Sequence, residues 1–451
     1  MRKALLFVLS LAVALALTSL AREPQFSDSQ TYVLFLMFFA IGLWVTEAIP
    51  PFSVGLFILA FLAFSLGNPW FNSEPQDIAK YVNTFSSSVI WLMLGGFFLA
   101  AALSRTGLDA DLLKFTLRVS GATPRRILIG LMSTTMVASM LMSNTATTAM
   151  VIAAVMPLLT RLGKQSPFVV AVLVGVPLAA AVGGMGTIIG TPPNILAAGV
   201  LEDAGLGVDF LHWMYFGVPL ALFLTGVGCL ALIKTFLKDN QPLPVESFET
   251  GRKDIALDGL RAKRRIVMVV LAVTLLLWMT SSLHHLGVAM VAAIPIVCLT
   301  MTSVLDASDI RALPWDTLLL VAGGLSLGLA LQDTGLLSHY AQKVIAMKLG
   351  KLVVLGVFAF VTMLVSNIMS NTATSTILIP LGMATLPEHR MEIALIIGLS
   401  ASTAMFLPVS TPPNAIAYST GLVEQKHFRV GGILIGLLGP AAVIAWVLFL
   451  A

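Results

Sequence analysis

Apolar runs of roughly 17–20 residues follow one another along the entire chain, joined by short polar links. In lipid, every backbone N–H and C=O must find a partner inside the protein, so only helices and closed barrels span a bilayer. The weak alternation of barrel strands is absent, and the fold class read from the sequence is an all-α polytopic membrane protein. Composition agrees: 11% of the residues are charged and 58% hydrophobic, against about 25% charged in a soluble domain. Spans are expected at 4–21, 31–48, 52–67, 86–103, 168–186, 211–233, 266–283, 286–304, 316–332, 393–409 and 431–450, giving about 11 transmembrane helices. Two further apolar blocks, 127–160 and 352–387, are too long for one helix, and each has a polar interruption at its middle. The first run, with Arg2 and Lys3 ahead of it, reads as a cleaved leader ending at Ala21 or as a retained helix; its length favours the helix.

Loop charges orient such a chain. Arg105, Lys114, Arg118, Arg125 and Arg126 crowd 104–126, and Lys234, Lys238, Arg252, Lys253, Arg261, Lys263, Arg264 and Arg265 crowd 234–265, so both loops are expected in the cytoplasm. Glu74, Asp77, Glu202, Asp203 and Asp209 mark 68–84 and 202–209 as external. The N-terminus is then cytoplasmic and the C-terminus periplasmic. Two loops disagree: 333–351 holds Lys343, Lys348 and Lys351 on the outside, and 305–315 is slightly acidic on the inside. The net charge of +4 is a topology signal, since no basic patch interleaved with aromatics points to nucleic acid.

The interrupted blocks carry the same cluster, "SMLMSNTATT" from Ser139 and "SNIMSNTATS" from Ser366. Arg125 and Arg126 precede the first block and Arg161 and Lys164 come after it, which fits a re-entrant hairpin with Ser143-Asn144-Thr145 at its tip. The alternative is two spanning helices joined outside. The cluster belongs to an internal repeat. "GGFFLAAALSRTGL" from Gly95 matches "GGLSLGLALQDTGL" from Gly323 at eight of fourteen positions, and "TPPN" occurs at Thr191 and Thr411. The offsets are 228, 227 and 220, and the orientation map makes the two copies an inverted-topology repeat. Each TPPN comes after a segment that reads as a broken helix. In the first, Pro192 and Pro193 are expected to stop the helix and Asn194 to cap the next one; in the second, the break is expected at Pro408 and Pro412-Pro413.

Ser, Thr and Asn supply donors and oxygen acceptors. At a hairpin tip they sit beside free helix ends, where N–H groups attract anions and carbonyls suit a hard cation such as sodium. The bland reading is helix–helix glue; two matched clusters, each with its own TPPN, argue for a site. No Asp, Glu, Lys or Arg occurs in 127–160, 168–200, 352–387 or 393–423. A dianion bound there has no basic side chain to meet it, and bound cations are the natural compensation. The remaining polar residues take structural readings: Glu47 as a span-end residue, Trp315 and Asp316 as a helix start and interface anchor, His284 and His285 as solvated, and Cys229 and Cys298 as packing residues. No zinc-protease, nucleophile-elbow or phosphate-loop motif is present, so an enzyme is not expected.

Duplicated SNT motifs, each with a broken helix and T-P-P downstream, resemble the divalent anion/sodium symporter family, which includes dicarboxylate, citrate and sulfate carriers. The resemblance covers about residue 31 to the end. It implies a homodimeric elevator-type transporter of the bacterial inner membrane, with two re-entrant helical hairpins. Residues 1–104 and 241–333 would supply the scaffold, the latter including a cytoplasmic linker. Residues 105–240 and 334–451 would supply the transport domain. Ser143, Asn144, Thr145, Ser370, Asn371 and Thr372 would grip the two carboxylates, with Thr411 and Pro412 lining the pocket. One sodium would use Ser139, Ser143, Asn144 and Gly190, and a second Ser366, Met369, Asn371 and Ser410. The partners implied are a small dianion, sodium as transported coupling ion and lipid; no organic cofactor and no nucleic acid are expected. The expected activity is sodium symport of C4-dicarboxylates such as succinate, malate and fumarate. Its rivals are an exchanger, a citrate or sulfate carrier, an intramembrane lipid enzyme and a channel.

Overall fold

The computed structural model describes residues 2–72, 75–238, 257–407 and 410–450, with the backbone alone for 257–259. Glu74, Arg252, Lys253 and Pro408 lie outside the described residues. Every regular element among those described is helical. α1 (Arg2–Ala21) packs on α2 (Asp28–Thr46), and the first copy continues through α3 (Pro51–Gly67), α4 (Ser88–Thr106), α5 (Leu108–Ser120), α6 (Pro124–Ser139), α7 (Asn144–Leu162), α8 (Pro167–Gly183), α9 (Pro192–Asp203) and α10 (Phe210–Phe236). The second copy repeats α2–α10 in order: α11 (Leu257–Met279), α12 (Val288–Met301), α13 (Trp315–Asp333), α14 (Leu336–Ala346), α15 (Lys351–Ser366), α16 (Asn371–Thr385), α17 (Arg390–Ala401), α18 (Pro412–Ser419) and α19 (Gln425–Leu450). Among the described residues, eight helical segments are long and apolar enough to cross a membrane, and α3, α12 and α15 are shorter apolar helices.

The copies exchange partners. α3 packs on α13, while their counterparts α12 and α4 pack on each other. Both contacts need small residues: a Cβ on Gly323 would lie 2.3 Å from the Gly55 Cα, and one on Gly95 would lie 2.7 Å from the Ala292 Cβ. Likewise α9 packs on α16 and α17, and α18 on α7 and α8. α8 is apolar all round and buried all round, as a helix without a polar face must be.

Ion pairs sort the loops into two sets. In one, Glu23 meets His339 (3.1 Å) and Lys343, Lys80 meets Asp333 (2.6 Å), and Lys351 meets Glu392 (3.6 Å). In the other, Arg105 meets Asp306 (3.3 Å) and Asp309 (3.6 Å), Arg264 meets Asp111 (2.9 Å), and Arg125 donates to the carbonyls of Leu237 (3.0 Å) and Lys238 (2.8 Å). No ion pair among the described residues joins one set to the other. The second set, richer in Lys and Arg, is called here the basic face. The two discordant loops have a local reason: Lys343 and Lys351 sit on acidic partners, and Asp306 and Asp309 are drawn to Arg105.

Several expectations are corrected. Pro192 and Pro193 do not stop the first broken helix; they open α9, at the positions where a missing N–H costs nothing. α8 ends earlier, at Gly183, and two short 3₁₀ turns at Gly184–Gly186 and Ile188–Gly190 bridge the gap. Asn194 does not cap α9 but reaches back, its Nδ2 donating to the carbonyls of Gly184 (3.0 Å) and Thr187 (2.7 Å). The span expected at 393–409 ends at Ala401, where the Thr403 hydroxyl donates to the Ser400 carbonyl (2.7 Å). His284 is half-buried rather than solvated, accepting from the Leu286 N–H (3.0 Å) and lying 2.9 Å from the Leu277 carbonyl.

Candidate functional site

Each Ser-Asn-Thr cluster starts the second helix of an α6–α7 or α15–α16 pair. Ser143 is the N-cap of α7, its Oγ accepting from the Ala146 N–H at 3.1 Å; Ser370 caps α16 through the Ala373 N–H at the same distance. Such a cap contributes about 1 kcal/mol and leaves the hydroxyl proton free. Asn144, Thr145, Asn371 and Thr372 therefore occupy the first turns of helices whose N–H groups point outward past the tip.

At the first tip, the Ser139 Oγ lies 2.6 Å from the Asn144 Oδ1 and 2.8 Å from the Ala180 carbonyl. One hydroxyl proton serves only one of those two oxygens, so the cluster is rich in lone pairs. A half-turn of the Asn144 amide puts Nδ2 in place of Oδ1 and closes a donor chain from amide to hydroxyl to carbonyl, so these residues satisfy one another without an ion as well. The broken segment presses against this group. A Cβ on Gly184 would lie 2.5 Å from Asn144 Oδ1 and 3.1 Å from the Gly190 carbonyl, and one on Gly190 would lie 2.3 Å from the Gly184 carbonyl. Ser139, Asn144 and Gly190 are thus brought together, with Ala180, Gly184 and Asn194 as members that the sequence reading did not assign to this cluster. Thr187 ties the break to the hairpin through the Met140 carbonyl.

At the second tip, Ser366 Oγ, Asn371 Oδ1, Ser400 Oγ and Ser402 Oγ are all shut off from solvent without a hydrogen-bond partner. Ser366, Ser400 and Ser402 are no more than 1% exposed. A buried polar atom left unpaired costs about 1–3 kcal/mol, and these four oxygens lie on α15, α16 and the C-terminal end of α17, three elements that pack on one another. Asn367, which replaces Met140 of the first copy, takes the Phe406 N–H on its Oδ1 (2.8 Å) and joins hairpin to break. Met369 is buried, the Ser410 hydroxyl donates to the Leu407 carbonyl (2.8 Å), Thr411 caps α18 and Pro412 is exposed at its first position. No hydrogen bond among the described residues links one tip to the other.

A cavity of about 620 Å³ opens at the basic face between Arg105, Lys114 and Arg264 and runs to Ser143 and Ala146. Another, of about 880 Å³, opens at the opposite face beside Lys80 and Arg390 and ends at Ser375 and Thr376.

Solved structures share this architecture. The YdaH transporter of Alcanivorax borkumensis aligns with a TM-score of 0.58 at 15% identity, over 89% of this chain and 99% of that one. MtrF of Neisseria gonorrhoeae aligns with a TM-score of 0.53 at 12% identity, over 92% and 97%. With its duplicated helices, interrupted spans and oxygen-lined tips, the molecule is a multi-pass membrane transport protein. It belongs to the citrate transporter family CitMHS, whose profile matches residues 32–396. Its relatives include the sodium-dependent dicarboxylate transporter SdcS of Staphylococcus saprophyticus, 28% identical over 99% of this chain and 89% of the relative. An uncharacterized transporter of Haemophilus influenzae is 30% identical over 97% and 94%. The resemblance to divalent anion/sodium symporters is borne out by these relatives.

Proposed function

We propose that this chain imports C4-dicarboxylates such as succinate, malate and fumarate by sodium symport across the bacterial inner membrane. The observation that carries the proposal is the twice-built oxygen cluster: a Ser-Asn tip beside a broken helix, with no charged side chain in 127–160, 168–200, 352–387 or 393–423. The sodium-dependent dicarboxylate transporters among the relatives support it. Sodium bound by Ser139, Ser143, Asn144 and Gly190, and by Ser366, Met369, Asn371 and Ser410, offsets the negative charge. Ser143, Asn144, Thr145, Ser370, Asn371 and Thr372 then hold the carboxylates with hydroxyls, amides and helix N-termini, and Thr411 and Pro412 bound the pocket.

Both ends of the α6–α7 pair approach the basic face: Arg125 donates to the Leu237 carbonyl, and Lys164 lies near Glu424, whose N–H donates to His427, a ring that packs edge-on against Phe236 beside Leu237. At the other face, Lys351 at the start of α15 meets Glu392 in the first turn of α17, just past the end of α16. This supports two re-entrant hairpins in an inverted repeat, among about 11 spanning helices. With the basic face in the cytoplasm, the N-terminus is cytoplasmic and the C-terminus periplasmic. Residues 1–104 and 241–333 serve as scaffold and 105–240 and 334–451 as the moving domain of an elevator, in a homodimer. A second reading, a citrate carrier, is favoured by the family description. Uptake of labelled succinate into proteoliposomes under a sodium gradient, with citrate and sulfate as competitors, tests both. Uptake that survives replacement of sodium by choline and is accelerated by internal dicarboxylate would assign an exchanger instead.

A further inference from the structure

The two cavities are counterparts of unequal depth. Ala100, Ser104 and Lys114 line the basic-face cavity; Gly328, Gln332 and Gln342, each 228 positions later, line the other. The first cavity reaches its hairpin tip, whereas the second stops on α16 beyond the tip, where α13 presses against it. A Cβ on Gly324 would lie 2.4 Å from the Thr376 Cγ2 and 2.7 Å from its Oγ1. At the equivalent places in the first copy this contact is missing: Gly96 faces Ile189 at 3.4 Å, and Ala149 is exposed whereas Thr376 is only 5% exposed. Ser375, beside the contact, lines this second cavity, and its Oγ is fully buried and without a hydrogen-bond partner.

We propose that the contact between Gly324 and Thr376 is the seal that closes the opposite-face path in this conformation, and that it parts when α16 slides along α13. The inference rests on the alternating-access reading above, in which one path to the tips is closed whenever the other is open. A side chain at position 324 therefore opposes the present state and leaves the alternative, with α16 displaced, unhindered.

The reporters are Ala146→Cys at the first tip and its counterpart Ala373→Cys below the seal, each in a background with Cys229 and Cys298 replaced by Ala. Labelling uses a membrane-impermeant maleimide added to one face of oriented proteoliposomes. Gly324→Ala is expected to speed labelling of Ala373→Cys from the opposite face, and to slow that of Ala146→Cys from the basic face, each on the order of tenfold. Adding Thr376→Ala, whose Cβ stays 3.1 Å from the new methyl, is expected to reverse the slowing of Ala146→Cys. Unchanged labelling in folded Gly324→Ala, or a change that Thr376→Ala does not reverse, overturns the proposal. Should Gly324→Ala not fold, Thr376→Ala alone decides, since removing two seal atoms is expected to speed labelling of Ala373→Cys and an unchanged rate refutes the seal. Labelling requires no transport, so absent succinate uptake with a retained labelling shift would reject the substrate assignment and leave the seal standing.

Discussion

Gly184→Ala isolates the first oxygen cluster from everything else the chain does. Gly184 has φ −56° and ψ −24°, a conformation alanine adopts freely, so the backbone tolerates the change. The cost is steric. The added methyl would lie 2.5 Å from Asn144 Oδ1, and restoring an ordinary contact moves that oxygen by about 1 Å. Displacing a cation ligand through its neighbour typically weakens binding about 10–100-fold, equivalent to about 1.4–2.7 kcal/mol of sodium stabilisation lost at a given saturating concentration. The assay is thermal unfolding of purified protein against sodium concentration, paired with sodium titration of uptake. Gly226→Ala is the control, because nothing lies within 4 Å of its added methyl. A half-saturating sodium concentration in Gly184→Ala equal to that of wild type and Gly226→Ala would refute the idea that Asn144 ligates sodium.

Asn144→Ala and Asn371→Ala are each expected to lower succinate uptake on the order of 100-fold with normal membrane insertion; near-normal uptake in either removes that residue from the site. Ser366→Ala is expected to act with opposite signs, making sodium-free protein more stable by about 1 kcal/mol through loss of an unpaired buried hydroxyl, while raising half-saturating sodium; a fall in sodium-free stability would mean that the hydroxyl already has a partner. Lys343, and then His339, hold the Glu23 carboxyl below its ordinary value of 4.5. A depressed folded pKa contributes stability above the unfolded pKa and loses it as pH falls through the folded one. Wild type is therefore expected to lose thermal stability more steeply than Glu23→Gln between about pH 5 and pH 3; parallel curves would show that the Glu23 cluster does not tie its loop to α14.

The sequence revealed what depends on local chemistry. The polar interruptions expected at Ser143 and Ser370 are where α7 and α16 start, and the segment before each TPPN is broken as expected, although the first helix ends at Gly183 rather than at Pro192. It hid what depends on distant geometry. Asn194 looks like a helix start, yet its bonds go back to carbonyls at 184 and 187, which come within reach only because the break folds over it. Lys343 and Lys351 count against the charge map when read alone, and the acidic partners Glu23 and Glu392 that offset them come from distant parts of the chain. Ser400 and Ser402 are ordinary small polar residues in a hydrophobic string until their hydroxyls prove to be without partners. Asn367 carried a signal that was available, since it breaks the match with Met140 inside an otherwise faithful repeat.

The exchange of partners between copies also governs how the molecule is made. Gly55 on α3 waits for Gly323 on α13, and about 250 residues separate the two helices; a ribosome adding ~5–20 residues per second needs about 12–50 s to supply the second. During that interval the glycine faces of the early helices have only lipid or the insertion machinery to cover them. Each half leaves a packing face that only the other half covers, so neither completes its own core.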